Sequence, residues 1–331
     1  MKKLTIEEAL IEAKKECNLK VLGHYKNGNH YETIFADGTR IRQTEDPDAD
    51  HFEYDFPSNA DLKISNYCPV GCKYCHESST VKGKHGDILN MPFVDTLVAG
   101  TELAIGGGSA LSHPDLVPFL ENLKKKGVIA NLTVNQKELQ MPELATKMKD
   151  ILAKNLVNGV GVSLTDSKTF NKTVNSIFGN YPNLVVHTIA GILTKNDLPA
   201  IMGRKTLILG YKDLHGRRAG DFYETEKKVV DDNIFWLKHN INCISNMTQL
   251  LSFDCLGIKQ INPKETLNIS DDDWNTLFQG DDYSAEASTL YIDAVTRTVA
   301  RASTHPLEDR PRFNDESMAE LFEMSKRCLS K

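Results

Sequence analysis

Three cysteines stand closest together in this chain. Cys68, Cys72 and Cys75 lie in the stretch Asn66-Tyr-Cys-Pro-Val-Gly-Cys-Lys-Tyr-Cys-His76, a C-x3-C-x2-C run. Thiolates are soft ligands, suited to zinc, copper(I) or iron–sulfur clusters. A [4Fe–4S] cluster normally takes four thiolates, and the next cysteine is Cys243. Three ligands on such a cluster leave one iron open to an outside molecule. A zinc knuckle with His76 as fourth ligand is the alternative, but zinc sites usually pair two hooks across a spacer, and only one hook is present. Three unrelated reduced thiols are the plain alternative.

A second stretch, Ile105-Gly-Gly-Gly-Ser-Ala-Leu-Ser-His-Pro-Asp-Leu116, carries three consecutive glycines. Glycine lets backbone approach a ligand closely and adopt positive φ. Taken alone, it is an ordinary strand-to-helix turn.

The cysteine run, with Tyr74 as the aromatic residue of C-x3-C-x-aromatic-C, resembles the signature of the radical S-adenosylmethionine (radical SAM) superfamily. The resemblance implies that Cys68, Cys72 and Cys75 hold a [4Fe–4S] cluster. The open iron would take the amino and carboxylate groups of S-adenosylmethionine (SAM), and Tyr74 would pack near cluster and adenine. The glycine stretch resembles the family's G-G-E segment, with Gly107 and Gly108 on the glycine pair. Ser109 stands where the family has Glu, and Ala110 where it has Pro. A serine hydroxyl accepts a hydrogen bond from an ammonium group but brings no charge. Ser163, at the end of the fourth expected barrel strand, would meet the SAM ribose, and Thr188–Leu193 loosely matches an adenine-facing segment.

The implied activity is reductive cleavage of SAM followed by hydrogen abstraction from a substrate: a peptide, a nucleotide or a small metabolite. A one-electron reductant such as flavodoxin or ferredoxin would be the partner. Two other classes stay open: an iron–sulfur electron-transfer or sensing protein, and a zinc-stabilised binding module. The motifs cover the cluster loop and the glycine stretch, and the barrel, residues 58–255, is covered in pattern only.

Strand-like segments at Asp61–Ser65, Glu102–Gly106, Val128–Val134, Gly159–Leu164, Leu184–Ile189 and Thr206–Leu209 alternate with helical patterns. Those patterns are Pro92–Leu97, His113–Lys126, Pro142–Lys154, Lys168–Phe178 and Asn196–Met202. Such alternation predicts an α/β fold of parallel strands joined by crossover helices. Six strands match the partial (β/α)6 barrel of the family, with Leu250–Phe253 a possible seventh. In such barrels, sites form at the C-terminal strand ends. A small β-rich element precedes the barrel, with a helix over 4–17 and a turn at Asp37-Gly38. A hairpin and a helix from Asp315, which would cap it, follow as a lid, a wall or plain packing. The expected parts are 1–57, 58–260 and 261–331.

Other strand ends offer Asn135, Gln136, Asp166 and His187, with Asp166 a candidate helix cap. The stretch Tyr211–Gly220 carries His215, Arg217 and Arg218, which suits an anion or a solvated loop. Asp254 offers a carboxylate for substrate or for an interior Arg. The 331 residues are 40% hydrophobic, enough for a sizeable core, and a net charge of −6 gives no global basic field for nucleic acid. No apolar run of about 18 residues predicts a membrane span, and the first residues lack a signal-peptide core. Seven cysteines, three of them clustered, do not read as a secreted disulfide framework; a reducing cytoplasm is expected. Cys17, Cys243, Cys255 and Cys328 are scattered singly, which argues against a multi-cysteine extension for further clusters.

Overall fold

The computed structural model describes residues 20–46, 48–49, 51–278, 280, 284 and 287–329. The helix expected over 4–17, and Cys17 with it, lie outside the described residues.

Nine strands form the main sheet. They are β4 (Asn59–Ser65), β5 (Glu102–Gly107), β6 (Ile129–Asn135), β7 (Gly159–Ser163), β8 (Leu184–Ile189), β9 (Lys205–Leu209), β10 (Leu250–Phe253), β11 (Thr289–Asp293) and β12 (Thr298–Ala300). Their spatial order is β10-β9-β8-β7-β6-β5-β4-β11-β12. Every neighbouring pair is parallel except β11 with β12. The α/β architecture with a mainly parallel sheet is therefore as expected, and the possible seventh strand is present.

Crossover segments include α1 (Leu116–Lys125), α2 (Pro142–Ala153), α3 (Ser167–Phe178), α4 (Leu198–Ile201) and α5 (Arg218–Met247). One face of each strand feeds the core beneath these helices. Leu62, Ile64, Leu103, Ile105, Leu132, Val134, Val160, Val162, Val186 and Ile208 pack there with Phe119, Phe170, Leu237 and Ile241. Strand residues alternate between faces, so the opposite face carries Lys63, Ser65, Gly106, Thr133, Asn135, Gly161, Ser163 and His187. A packed barrel interior is filled with branched apolar side chains. This face is small and polar instead, which leaves it suited to a ligand.

The C-terminal hairpin is more than an appendage. β11 pairs with β4 in parallel, Tyr291 beside Asp61 and Asp293 beside Lys63, and so extends the barrel sheet. The helix after it, α9 (Met318–Lys326), starts later than expected, and α6 (Cys255–Ile261), α7 (Pro263–Thr266) and α8 (Asp271–Leu277) lie between β10 and β11. Ser317 caps α9, not Asp315, in a capping box with Glu320. The two hydrogen bonds of that box satisfy otherwise orphaned N–H groups, and Asp315 is too far upstream to offer them.

A separate antiparallel sheet, β1 (Val21–Asn27), β2 (His30–Phe35) and β3 (Arg40–Thr44), closes the N-terminal end of the barrel. A side chain at Gly23 would collide with Gly100, just before β5. Arg40 bridges the two sheets, pairing with buried Glu32 at 2.5 Å and with Glu102 at the start of β5. Burial alone would raise the Glu32 carboxyl, but the His30 imidazole 3.4 Å away and the charges of Arg40 and Arg42 outweigh it and hold it at about 2. No described helix is long and apolar enough to cross a membrane.

Candidate functional site

The cysteine run leaves β4 at its C-terminal end. The segment after it returns alongside: Ser65 bridges to His85, Tyr67 bridges to Thr80, and the Cys68 N–H donates to the Thr80 carbonyl at 2.9 Å. Residues 66–80 thus form a closed lobe. Cys68, Cys72 and Cys75 are free thiols, partly accessible. Burial raises Cys72 above the usual thiol range, and the charges of Cys75 and Cys68 raise it further. Burial also raises Cys68, although N–H groups of Val70 and Gly71 donate to its sulfur. The Asn135 Nδ2 sits 3.8 Å from the Cys72 Sγ. Tyr74 is pushed up to about 12 by burial first, then by Cys72 and Asp197, and its ring meets Phe222 edge-on.

Cys68 and Cys72, raised by burial and by their neighbouring thiols, need a cationic centre to become thiolates beside Cys75. Among the described residues, no three His, Cys, Asp or Glu side chains converge on one metal ion. His76, the fourth ligand of a zinc knuckle, turns its Nε2 to Glu77 at 3.4 Å. A four-iron cluster asks less convergence, because each thiolate binds its own iron. The donor set fits that group.

The glycine turn lies against this lobe. The Gly108 N–H donates to Ser65 at 2.6 Å, and the Ser109 N–H to Tyr67 at 2.7 Å. Gly107 has φ +119°, and a Cβ on Gly108 would lie 2.4 Å from the Tyr67 carbonyl oxygen. These two glycines therefore let one loop approach another. The glycine facing open space is Gly106, whose Cβ would meet only Thr133, at 3.7 Å. Ser109 is fully buried. Its hydroxyl donates to Glu138 and shares a 2.6 Å bond with Ser112.

Glu138 escaped the sequence reading. It lies in a short helical turn just after β6, 1% exposed. It accepts the Asn135 N–H at 2.6 Å as well as the Ser109 hydroxyl. Burial raises its carboxyl to about 7, against the lowering effect of those hydrogen bonds. A carboxylate does therefore reach Ser109, from a different strand end. Only the Glu three residues past a strand end hinted at it.

Asn135, Ser163 and His187 are successive partners across β6, β7 and β8. They form one polar row leading away from Cys72. The other candidates serve the scaffold. Asp166 caps α3 through the Lys168 N–H. Gln136 accepts from the Thr165 and Asp166 N–H groups. Asp254 accepts from Gly210 and Gly257, tying β9 to α6. Thr188 is buried, and the Gly191 carbonyl accepts from Asn233 of α5. His215 is exposed and pairs with Glu224.

Arg217 and Arg218 lie on the side of the cysteine lobe, as expected of a loop that follows a strand's C-terminal end. Arg217 donates to the His76 carbonyl at 2.9 Å, and Arg218 donates to the Ser79 carbonyl. They grip the cysteine lobe through its backbone carbonyls, a contact that neither reading of this stretch, anion site or solvated loop, contained. Behind the lobe, Lys63 pairs with Glu77 at 2.5 Å and Asp293 at 3.0 Å. Tyr291 donates to Glu77 at 3.2 Å. The C-terminal strand thus helps to hold the residues that follow Cys75.

No family model matches the chain, and no curated protein sequence does. Among solved structures, Streptococcus suis SuiB bound to precursor peptide SuiA is similar, with TM-score 0.52 and 11% identity over 81% of this chain and 65% of that one. SuiB bound to S-adenosylmethionine gives TM-score 0.51 and 12% identity over 81% of this chain and 66% of that one. This chain spans just under two thirds of the SuiB chains. At such identity the likeness is one of fold.

Proposed function

We propose that this chain is a radical SAM enzyme. Cys68, Cys72 and Cys75 hold a [4Fe–4S] cluster, S-adenosylmethionine binds along the strand ends beside it, and the substrate is a peptide. The observation that carries the reading is the lobe of three free, partly accessible cysteines gathered at the C-terminal end of β4. It opens onto a sheet face cleared by Gly106 and polar at Asn135 and Ser163. The similar fold of SuiB, seen with S-adenosylmethionine and with a precursor peptide, favours a peptide over a nucleotide or small metabolite.

Bound together, cluster and SAM supply one-electron cleavage of a carbon–sulfur bond and hydrogen abstraction. The protein's share is to bind, orient and exclude water. Asn135 donates toward the Cys72 sulfur and tempers its charge. Tyr74 and Phe222 cover the lobe. Gly106, open to the inner face, would let the methionine end come close to the backbone, since the Ser109 hydroxyl is committed to Glu138. Ser163 would meet the ribose. A reductant such as flavodoxin or ferredoxin would deliver the electron at the mouth.

Anaerobic loading with iron and sulfide tests the metal assignment. About four irons per chain and a brown chromophore are expected, with loss of both in Cys68→Ala, Cys72→Ala and Cys75→Ala. Stable zinc in place of iron would overturn it. An electron carrier would load the same cluster but release no 5′-deoxyadenosine from SAM.

A further inference from the structure

Lys212 lies just past the end of β9 and is half-buried. Its Nζ donates to the Ser303 hydroxyl at 2.9 Å, and no ion pair joins it to a carboxylate among the described residues. An ammonium group has three donors, so two are left over. The other cations around it have partners. Lys63 pairs with Glu77 and Asp293. Arg217 and Arg218 donate to carbonyls of the cysteine lobe, and Arg310 donates to the carbonyls of Ser303 and His305. The nearby carboxylate, Glu77, is taken up by Lys63, His76 and Tyr291.

Ser303 follows β12, the strand at one end of the main sheet, and Lys212 follows β9, next to the other end. Their bond therefore spans the opening between the two ends of the sheet. The cysteine lobe forms another side of that opening. Burial lowers the His76 imidazole, and the charge of Lys212 lowers it next, so ammonium and imidazole stand close. The Arg310 guanidinium lies over the Tyr291 ring, 4.9 Å from its centre, which adds positive charge. A single ammonium beside a neutral hydroxyl suits a small anion of one charge. A carboxylate fits that description. A phosphate is better served by arginine forks, and Arg217 and Arg218 are committed to carbonyls. In the proposed reading the methionine end of SAM lies at Gly106 on β5, four strands from β9 and ~19 Å along the sheet. The anion at Lys212 is therefore the substrate's.

We propose that Lys212, with Ser303 beside it, anchors a carboxylate of the peptide substrate at the opening between the two ends of the sheet. The carboxylate comes from an Asp or Glu side chain or from the peptide's C-terminus. The inference rests on the reading of the substrate as a peptide, and adds the charge that the peptide must carry.

The test is affinity selection from two pools of short synthetic N-acetylated peptides on cluster-loaded protein saturated with S-adenosylhomocysteine. One pool is C-amidated and random in sequence; the other has a free C-terminus and no Asp or Glu. Asp and Glu should be enriched about tenfold or more in the bound fraction of the first pool, the worth of one hydrogen bond between charged groups. If the anchor is the terminal carboxylate, retention of the second pool takes the place of that enrichment. Lys212→Met should abolish the preference. So should Ser303→Asp, which gives the ammonium an internal carboxylate, and Lys212→Glu should turn the preference toward Lys and Arg. All three variants should bind S-adenosylhomocysteine as the unsubstituted protein does. Peptides retained with no carboxylate preference, or with the same preference in Lys212→Met, overturn the proposal while the peptide reading stands. Loss of S-adenosylhomocysteine binding in Lys212→Met places the lysine in the cofactor's site and overturns it too. Retention of no peptide from either pool overturns the peptide reading, and the inference with it.

Discussion

Glu138 is a carboxyl held at about 7 by burial, against an ordinary 4.5. The folded protein therefore holds its proton more tightly than the unfolded chain. Its contribution to stability is complete below about pH 4.5 and is lost as pH rises through about 7, at most ~3 kcal/mol. Glu138→Gln should flatten that decline, read as the urea midpoint across pH 5 to 8 before cluster loading; parallel curves for both proteins would refute it. Gly106 and Gly108 separate ligand from scaffold. Gly106→Val occupies open space in a strand, where a β-branched residue is at home, so the fold should survive and S-adenosylhomocysteine binding should fall by tenfold or more. Gly108→Val drives a side chain into the Tyr67 carbonyl and should unfold the turn. Equal effects would mean that the inner face is not the ligand's. The cysteine run and the glycine turn were legible as stretches because their residue types and spacing are rare, but which glycine faces open space was not. Glu138 was not, because a lone Glu after a strand carries no mark of burial. The commitment of Ser109 to Glu138 depends on a contact 29 residues away.

At the scale of elements, the cysteine lobe is held from outside. Arg217 and Arg218 open α5 and donate to carbonyls of the lobe. Changing both to Gln should leave the fold intact and quicken cluster loss under a chelator several-fold, followed by the decay of the chromophore. Unchanged decay, with a weakened anionic substrate instead, would restore the anion clamp. The helix that carries these arginines was missed. Its buried positions Val230, Leu237, Ile241 and Ile244 recur at helical spacing, but long charged stretches lie between them, and Glu226 breaks the helical geometry. Six barrel strands were legible to within two residues because each is a short apolar run with turn residues beside it. The parallel pairing of β11 with β4 was not, since a hairpin sequence says nothing about which strand it joins.

For the molecule as a whole, the N-terminal sheet and the barrel are joined by Arg40 between Glu32 and Glu102. Removing one partner of a buried ion pair leaves the others uncompensated. Arg40→Met should cost ~3 kcal/mol in urea unfolding while the cluster lobe, at the opposite end, still loads; a loss below ~1 kcal/mol would mean solvent screens the joint. Strand-and-helix alternation made the fold class legible, because each βαβ unit writes its own pattern. The docking of the small sheet was hidden, because it rests on glycine contacts and charges that meet only after folding. In the proposed reaction the cysteine lobe and the open face work together on SAM. Cluster-loaded, chemically reduced protein incubated with SAM should release 5′-deoxyadenosine, and the Cys72→Ala protein should release none. Loaded protein that leaves SAM intact, or a Cys72→Ala protein that cleaves it fully, would contradict the account.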